Sequence, residues 1–280
     1  MALVLGILVA ITYGSADFLG GLTMRRAPVG ATLLATQVIG LAGLLVVAAF
    51  AGGDPSSSDL LLGAVAGLGG VVGIGFLYRG LAVGRASVVA PVSAVGAAVL
   101  QIGWGLAGGE HPGPIAMAGV VLALGSVAIV AGAAGETEEH HPASRAQELA
   151  YGAGAAVFLG LFLILISETD PDSGLWPAVA ARVAPIPFLV LVTLVLRTRL
   201  LVPRAASRTA IGAGVLDASA NAFLLLAIRA GLLSLVAPVA ALYPASTVVL
   251  SRVLLHERLG RARLAGLLVA LVGLVLIAVR

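Results

Sequence analysis

Apolar stretches of about twenty residues follow one another along almost the whole chain, separated by short polar segments. A helix needs roughly 20 apolar residues to cross the hydrocarbon core of a bilayer. The segments between them, such as Gly52–Asp59 and Ser167–Gly174, have turn-forming compositions. We therefore predict an all-α integral membrane protein with ten transmembrane helices. Their predicted positions are 2–22, 29–50, 60–82, 87–107, 113–133, 148–167, 174–196, 208–229, 233–254 and 262–279.

Composition supports a membrane protein and excludes several other classes. Hydrophobic residues make up 60% of the chain and charged residues 10%, whereas soluble domains carry roughly 25% charged residues. The chain has no cysteine, which excludes disulfides and thiolate metal sites. Its net charge of +3 comes from arginines spread over predicted helix ends. That distribution does not indicate a nucleic-acid partner.

The chain contains an internal repeat. The segments "ASVVAPVSA" (Ala86–Ala94) and "LSLVAPVAA" (Leu233–Ala241) are 147 residues apart. At that shift, Phe76–Ala131 and Phe223–Ala278 are identical at 17 of 56 positions without gaps. The most informative matched pairs are Gly84/Gly231, Ser87/Ser234, Pro91/Pro238, Glu110/Glu257, Gly113/Gly260 and Gly119/Gly266.

We predict two repeats, at residues 2–133 and 148–279, joined by a polar linker at 134–147. Each repeat holds five predicted helices, so the second would enter the membrane from the opposite side. Inverted repeats of this kind build many secondary transporters, whose substrate site lies near the midplane between the repeats. The sequence thus predicts two inverted five-helix repeats around a central cavity.

Two longer segments carry a resemblance to a known family. They are "SVVAPVSAVGAAVLQIGWGLAGGEHPGPIAMAGVVLALGSVAIV" and "LSLVAPVAALYPASTVVLSRVLLHERLGRARLAGLLVALVGLVLIA". They resemble the two halves of EamA-domain proteins, in the drug/metabolite transporter superfamily. "YGSADFLGG" (Tyr13–Gly21) resembles the first helix of that family. The resemblance implies a ten-helix carrier with a central cavity and leaves the cargo open.

Two further positions belong to this resemblance. The turn residues Glu110 and Glu257 match the family pattern, although His256 stands where a glycine is usual. Arg182 occupies a place where the family commonly has arginine in this helix.

Polar side chains inside the predicted helices are the candidate binding and coupling groups: Asp17, Gln37, Arg182, Asp217 and Asn221. A charge within a span costs about 2.5–3.5 kcal/mol on insertion scales, so each one needs a reason. One interpretation is a structural ion pair of Arg182 with Asp217 or Asp17. In the other, Arg182 holds an anionic group of the cargo, while Asp17 or Asp217 binds and releases protons.

Aromatic residues and prolines complete the predicted site. Tyr13, Trp104 and Tyr243 are predicted to line the cavity, with plain packing as the alternative. Pro91 and Pro238 are predicted to kink their helices, either as gating elements or for packing only.

Arginine counts predict the orientation. Thirteen arginines flank the loops that follow odd-numbered helices, and two lie on the other side. The positive-inside rule then places both termini outside. The high Ala, Gly and Arg content suggests the plasma (inner) membrane of a bacterium.

The function predicted from these patterns is secondary transport of a small metabolite or drug-like molecule, coupled to protons or by exchange. The alternative is a passive facilitator, channel or lipid-flipping protein of the same fold. No metalloprotease, hydrolase or P-loop motif is found, so no enzyme, cofactor or metal is predicted. The expected partners are the small-molecule substrate, membrane lipid and protons, and a homodimer is left open.

Overall fold

The computed structural model describes residues 1–84, 86–132, 143–254 and 261–278. Within these ranges all regular structure is helical. Two short 3₁₀ helices lie at Pro171–Ser173 and Arg204–Ala206. The α-helices are α1 (Ala2–Met24), α2 (Val29–Ala51), α3 (Ser57–Val83), α4 (Ala86–Ala107), α5 (Pro114–Gly132), α6 (Arg145–Ser167), α7 (Trp176–Val183), α8 (Pro185–Val195), α9 (Ser207–Ala230), α10 (Leu233–Ala240), α11 (Tyr243–Leu254) and α12 (Arg261–Ala278).

Within the part of the chain that the structure describes, six helical segments are long and apolar enough to cross a membrane. They are Ala2–Met24, Val29–Ala51, Ser57–Gly80, Arg145–Ser167, Trp176–Val195 and Arg204–Ala230. Shorter apolar helices lie within α4, α5 and α12. When α7–α8 and α10–α11 are each counted as one interrupted segment, the described chain has ten segments at the predicted positions. The expectation of an all-α, membrane-type fold is therefore confirmed at this level.

Prolines explain both interruptions. α7 ends at Val183, two residues before Pro185, and neither Pro185 nor Pro187 can donate a backbone hydrogen bond. Pro238 lies inside α10, which ends just before a tight turn in which the N–H of Leu242 donates to the carbonyl of Val239 (3.2 Å). At the other predicted kink, α4 continues through Pro91 without a break.

Two helices begin three residues earlier than the hydrophobic pattern predicts. Ser56 and Asp59 form a capping box at the start of α3, and Ser144 and Gln147 form one at the start of α6. In each box the serine oxygen accepts from a backbone N–H that the helix leaves unpaired. The predicted linker at 134–147 lies mostly outside the described residues.

Small residues bring the helices into close contact. A Cβ atom at Gly63 or Gly67 of α3 would collide with the backbone of α7 at Pro177 and Ala181. Gly119 of α5 and Gly273 of α12 face each other in the same way. Since lipid is as apolar as the helices, such close packing is what holds membrane helices together.

The described helix connections lie at two opposite ends of the bundle. At one end the N–H of Asp54, after the second segment, donates to the carbonyl of Asp172, after the sixth (2.9 Å). At the other end Arg26, after the first segment, donates to the carbonyl of Ala205, after the seventh (3.2 Å). We call the first the acidic end, because it carries Asp54, Asp59, Glu110, Glu168, Asp170 and Asp172. The second is the arginine-rich end.

Helix contacts follow a regular scheme. α1 packs on α9 and α3 on α6, while α4 packs on α6 and α1 on α10 and α11. α2 packs on α9 and α3 on α7. α5 packs on α12 and α2 on α7 and α8. α1, α2, α7 and α9 thereby surround one interior region, where most of the predicted site residues lie.

Candidate functional site: a polar cluster inside the bundle

A buried arginine links three helices. Nη1 of Arg182, on α7, forms an ion pair with Oδ2 of Asp217, on α9. The same Nη1 donates to Oε1 of Gln37, on α2 (2.7 Å), and Nη2 donates to the backbone carbonyl of Asp217 (3.3 Å). Arg182 is only 6% exposed. Its charge is thus neutralised by Asp217, and of the two ion pairs predicted for it, the one with Asp217 is present.

Glycines on α2 and α9 leave the space that the Arg182 side chain occupies. Gly40 lies one turn after Gln37 on α2, and a Cβ there would stand 3.6 Å from Cζ of Arg182 and 3.3 Å from Cβ of Ala218. A Cβ at Gly214 of α9 would stand 2.8 Å from Cβ of Ile39. These glycines let α2 and α9 approach closely enough for Gln37 and Asp217 to contact one guanidinium.

Asn221 bonds within its own helix. Its Nδ2 donates to the backbone carbonyl of Asp217, one turn earlier (2.8 Å). That carbonyl therefore accepts from both Asn221 and Arg182, which fixes the helix turn carrying the ion-paired carboxylate.

Asp17 differs from the other charged residues of the cluster. It lies deep within the bundle on α1, facing the charge of Asp217, yet its side chain is accessible to solvent. Its accessible surface therefore opens onto space between the helices. Among the described residues, no hydrogen bond or ion pair is seen for the Asp17 carboxylate. Asp17 is thus the uncompensated charge of the cluster.

Three tyrosines share the space around Asp17. Tyr13 lies one turn before it on α1, Tyr243 begins α11, and Tyr78 comes from α3. All three are within electrostatic range of the Asp17 carboxylate, and each is partly accessible. We call Tyr13, Asp17, Tyr78 and Tyr243 the tyrosine–aspartate cluster.

Tyr78 was not among the predicted site residues. It lies only five residues before the end of α3, and a tyrosine near a helix end is usually an interfacial residue. A signal was nevertheless available, since the chain has only four tyrosines and three of them meet here.

Trp104 lies outside this cluster. It sits near the end of α4, is 47% exposed, and its Nε1 donates to Oε1 of Glu168 at the acidic end (2.7 Å). Its position within the predicted helix did not reveal which end and face it occupies.

Glu110 joins the two halves of the chain at the acidic end. Its carboxylate oxygens accept from the backbone N–H groups of Leu233 (2.6 Å) and Ser234 (2.8 Å), at the start of α10. A carboxylate is favourable there because the first N–H groups of a helix have no partner within it. The matching Glu257 lies outside the described residues.

Further contacts cross the same end. Nη2 of Arg229 donates to the carbonyl of Asp170 (3.0 Å) and to Oγ of Ser173 (3.1 Å). Oδ1 of Asp59 accepts from the N–H of Asp170 (2.9 Å). The acidic end is thus tied together across both halves.

An apolar cleft of about 550 Å³ opens near the arginine-rich end, between α2, α3 and α8. Its walls include Leu33, Val71, Phe76 and Phe188, and Arg79 lies among the lining residues. The cleft is separate from the charged cluster, none of whose residues line it.

Comparisons with known proteins address the fold only. No protein-family model matches the chain, and no curated protein matches it in sequence. Solved structures do match, in 29 chains. One protein crystal structure aligns with a TM-score of 0.81 over 99% of this chain and 96% of its own length, at 15% identity. The chain therefore has, over its whole length, a fold that is also present in a crystallised protein.

Proposed function

We propose that this chain is a secondary transporter that moves a small molecule across the membrane by alternating access, as its resemblance to EamA-domain proteins implies. The observation that carries the proposal is Asp17, an accessible carboxylate deep inside an apolar bundle that has no hydrogen-bond or ion-pair partner among the described residues. Intramembrane ionisable groups are costly and mark ion or substrate pathways.

The positions of the helix connections at the two ends of the bundle support an inverted repeat. Among the described residues, hydrogen bonds join connections that follow even-numbered segments at the acidic end, and they join the connections after the first and seventh segments at the arginine-rich end. With five segments in each half, the first and sixth segments begin at opposite ends. The two halves then have opposite orientations, as alternating access by two similar gates requires.

The helix contacts support the same arrangement. In chain order α7–α8 is the seventh segment, α9 the eighth, α10–α11 the ninth and α12 the tenth. When each segment is exchanged with the one five places away, the contact of α1 with α9 becomes the contact of α6 with α3. The same exchange turns α4–α6 into the contact of α10 and α11 with α1, and it returns α5–α12 to itself. This is the contact scheme expected of two equivalent halves related by a two-fold axis.

The cluster divides into a structural part and a coupling part. Arg182, Asp217 and Gln37 satisfy one another and hold α2, α7 and α9 together. Asp17 is left as the proton-coupling group, because in the described part of the cluster only its carboxylate is free to gain a proton in one state and lose it in another. Arg182, already neutralised, does not serve as the anion-binding group in this arrangement.

We also propose that the arginine-rich end faces the cytoplasm of a bacterial cell, with both termini outside. The described arginines Arg25, Arg26, Arg197 and Arg204 belong to that end. Loops rich in arginine are retained on the cytoplasmic side.

The test is transport by purified protein in liposomes that contain a pH-sensitive dye. Amino acids, organic anions and organic cations are added under an imposed pH gradient. We expect one cargo class to move protons in the wild type and in Asp172→Asn, whose carboxylate is exposed at the acidic end. The same cargo should move no protons with Asp17→Asn. Cargo movement that ignores the gradient and survives Asp17→Asn would contradict the proposal.

A passive or lipid-flipping protein of the same fold is the second candidate. The apolar cleft with Arg79 favours it, since an acyl chain and a phosphate would find matching chemistry there. Gradient-independent movement of a labelled lipid, lost with Arg79→Gln and retained with Asp17→Asn, would favour this candidate.

A further inference from the structure

We infer that the apolar cleft between α2, α3 and α8 holds one anionic phospholipid as a resident ligand, with an acyl chain along its walls and the phosphate on Arg79. The cleft lies apart from the charged cluster, since none of the cluster's residues line it. The inference is therefore independent of the proposed transport function, and the lipid is bound rather than carried.

The cleft has the size of a ligand site and is open to the surroundings of the bundle. Its volume of about 550 Å³ lies within the range of roughly 300–1,000 Å³ that ligand pockets occupy. Three large apolar side chains that line it are exposed, namely Phe76 (36%), Phe188 (39%) and Leu196 (65%). In a membrane such side chains face lipid, so the occupant comes from the bilayer.

The charged and apolar parts of the cleft follow the order of a phospholipid. Arg79 lies four residues before the end of α3 at Val83, close to the arginine-rich end. Val71, eight residues earlier on the same helix, also lines the cleft. At 1.5 Å per residue the two are about 12 Å apart along the helix axis, which is most of the roughly 15 Å depth of one leaflet. The guanidinium thus lies at the level of headgroups and the apolar walls at the level of acyl chains.

The charge of Arg79 favours an anionic headgroup. Arg79 is exposed, and no hydrogen bond or ion pair is seen for it among the described residues. The described side chains that line the cleft include no carboxylate. A guanidinium binds phosphate through two parallel N–H donors, and basic pockets between transmembrane helices bind anionic headgroups. A choline headgroup would instead bring a second positive charge beside Arg79.

Gly75 shows that the protein leaves this space unfilled. It lines the cleft one turn before Arg79, and nothing lies within 4 Å of a Cβ atom placed there. A larger side chain at this position can therefore take the place of the acyl chain without displacing a neighbouring helix. Gly43 of α2 is equally open and does not line the cleft, so it provides a matched control.

The test is the rise in the midpoint of thermal unfolding of the detergent-solubilised protein as phosphatidylglycerol is added, since a ligand of the folded state raises that midpoint. We expect a saturable rise in the wild type and in two controls, Gly43→Leu and Arg208→Gln, an exposed arginine of the same end. Arg79→Gln should need about tenfold more lipid for the same rise, because it loses a charge-assisted contact. Gly75→Leu should show no saturable rise.

Two further ligands separate the headgroup from the acyl chain. Phosphatidylcholine with the same acyl chains should bind the wild type about tenfold more weakly than phosphatidylglycerol, because it lacks the net negative charge. Glycerol 3-phosphate, which has no acyl chain, should give no rise. Arg79→Gln tests the headgroup contact separately, whatever the stability of Gly75→Leu.

Four outcomes would overturn the inference. Equal responses to the two lipids, or equal responses of the wild type and Arg79→Gln, would refute the anionic headgroup. An undiminished response of Gly75→Leu would show that the lipid binds elsewhere on the bundle. A rise with glycerol 3-phosphate equal to that with lipid would indicate a site for free phosphate. Movement of labelled phosphatidylglycerol between the leaflets of proteoliposomes, lost with Arg79→Gln, would show that the lipid is cargo and not a resident ligand.

Discussion

At the scale of single residues, the internal charges have unequal roles. Sequence alone presented Asp17 and Asp217 as equivalent partners for Arg182, because both are carboxylates inside predicted helices. The choice between them depends on how α1, α7 and α9 are arranged in space. Gly40 and Gly214 favour Asp217 as the partner of Arg182, because they let α2 and α9 come together around the guanidinium.

The ion pair of Arg182 and Asp217 makes a residue-scale prediction. Removing one partner leaves an uncompensated internal charge, which typically costs about 3–5 kcal/mol. We expect Arg182→Gln and Asp217→Asn each to lower the midpoint of thermal unfolding in detergent markedly. The double variant should lose less than the sum of the two single variants. Arg208→Gln, at an exposed arginine near the start of α9, is the control. Additive losses would show that the pair is not coupled.

At the scale of helices, most of the fold was predictable and the interruptions were only partly so. Helix positions follow from local hydropathy and length, whereas the start of α3 is set by the Ser56 capping box, which hydropathy does not indicate. Pro238 indicated the break before α11 correctly. The break before Pro185 was missed, and α4 passes Pro91 unbroken, because a proline's effect depends on neighbours that local sequence does not reveal.

Close packing of α3 on α7 makes a prediction about two glycines of one helix. A Cβ at Gly67 would collide with the backbone of Ala181, whereas nothing lies within 4 Å of a Cβ at Gly75. We expect Gly67→Ala to lower the unfolding midpoint of the detergent-solubilised protein. Gly75→Ala should leave it equal or slightly higher, since alanine favours a helix over glycine by about 1 kcal/mol. Equal effects of the two changes would contradict this contact.

Glu110 makes a second prediction at this scale. Glu110→Ala leaves the N–H groups of Leu233 and Ser234 without their carboxylate acceptor. Loss of a helix cap costs about 1 kcal/mol, so we expect a lower unfolding midpoint. Asp54→Ala, at an exposed residue of the same end, should have little effect. Matching losses in the two variants would argue against a specific role of Glu110 in capping α10.

At the scale of the whole molecule, the two-ended arrangement of the connections is the basis of the inverted-repeat proposal. The odd number of helices in each half was sufficient to predict it from sequence. The interior arrangement was not predictable in the same way. Trp104, predicted to line the cavity, lies at the acidic end, while Tyr78, near a helix end, lies within electrostatic range of Asp17. Local sequence indicates depth in the membrane approximately and does not indicate which face looks inward.

Because the chain has no cysteine, single cysteines can report its orientation. We expect Ser58→Cys, at the acidic end, to react with a membrane-impermeant maleimide added to intact cells. Arg204→Cys, at the other end, should react only after permeabilisation. The reverse pattern would refute the assigned orientation, and labelling of both from one side would refute the alternation of the helices.

The most direct test of the central claim is a count of the protons released when cargo binds. Purified protein in weakly buffered detergent solution is mixed with the cargo identified in the liposome assay, and the pH change is recorded. The account predicts about half a proton released per bound cargo molecule at the midpoint of the pH dependence, rising towards one at lower pH where Asp17 starts protonated, and none with Asp17→Asn. Cargo binding with no proton release at any pH, or with release that persists in Asp17→Asn, would contradict it.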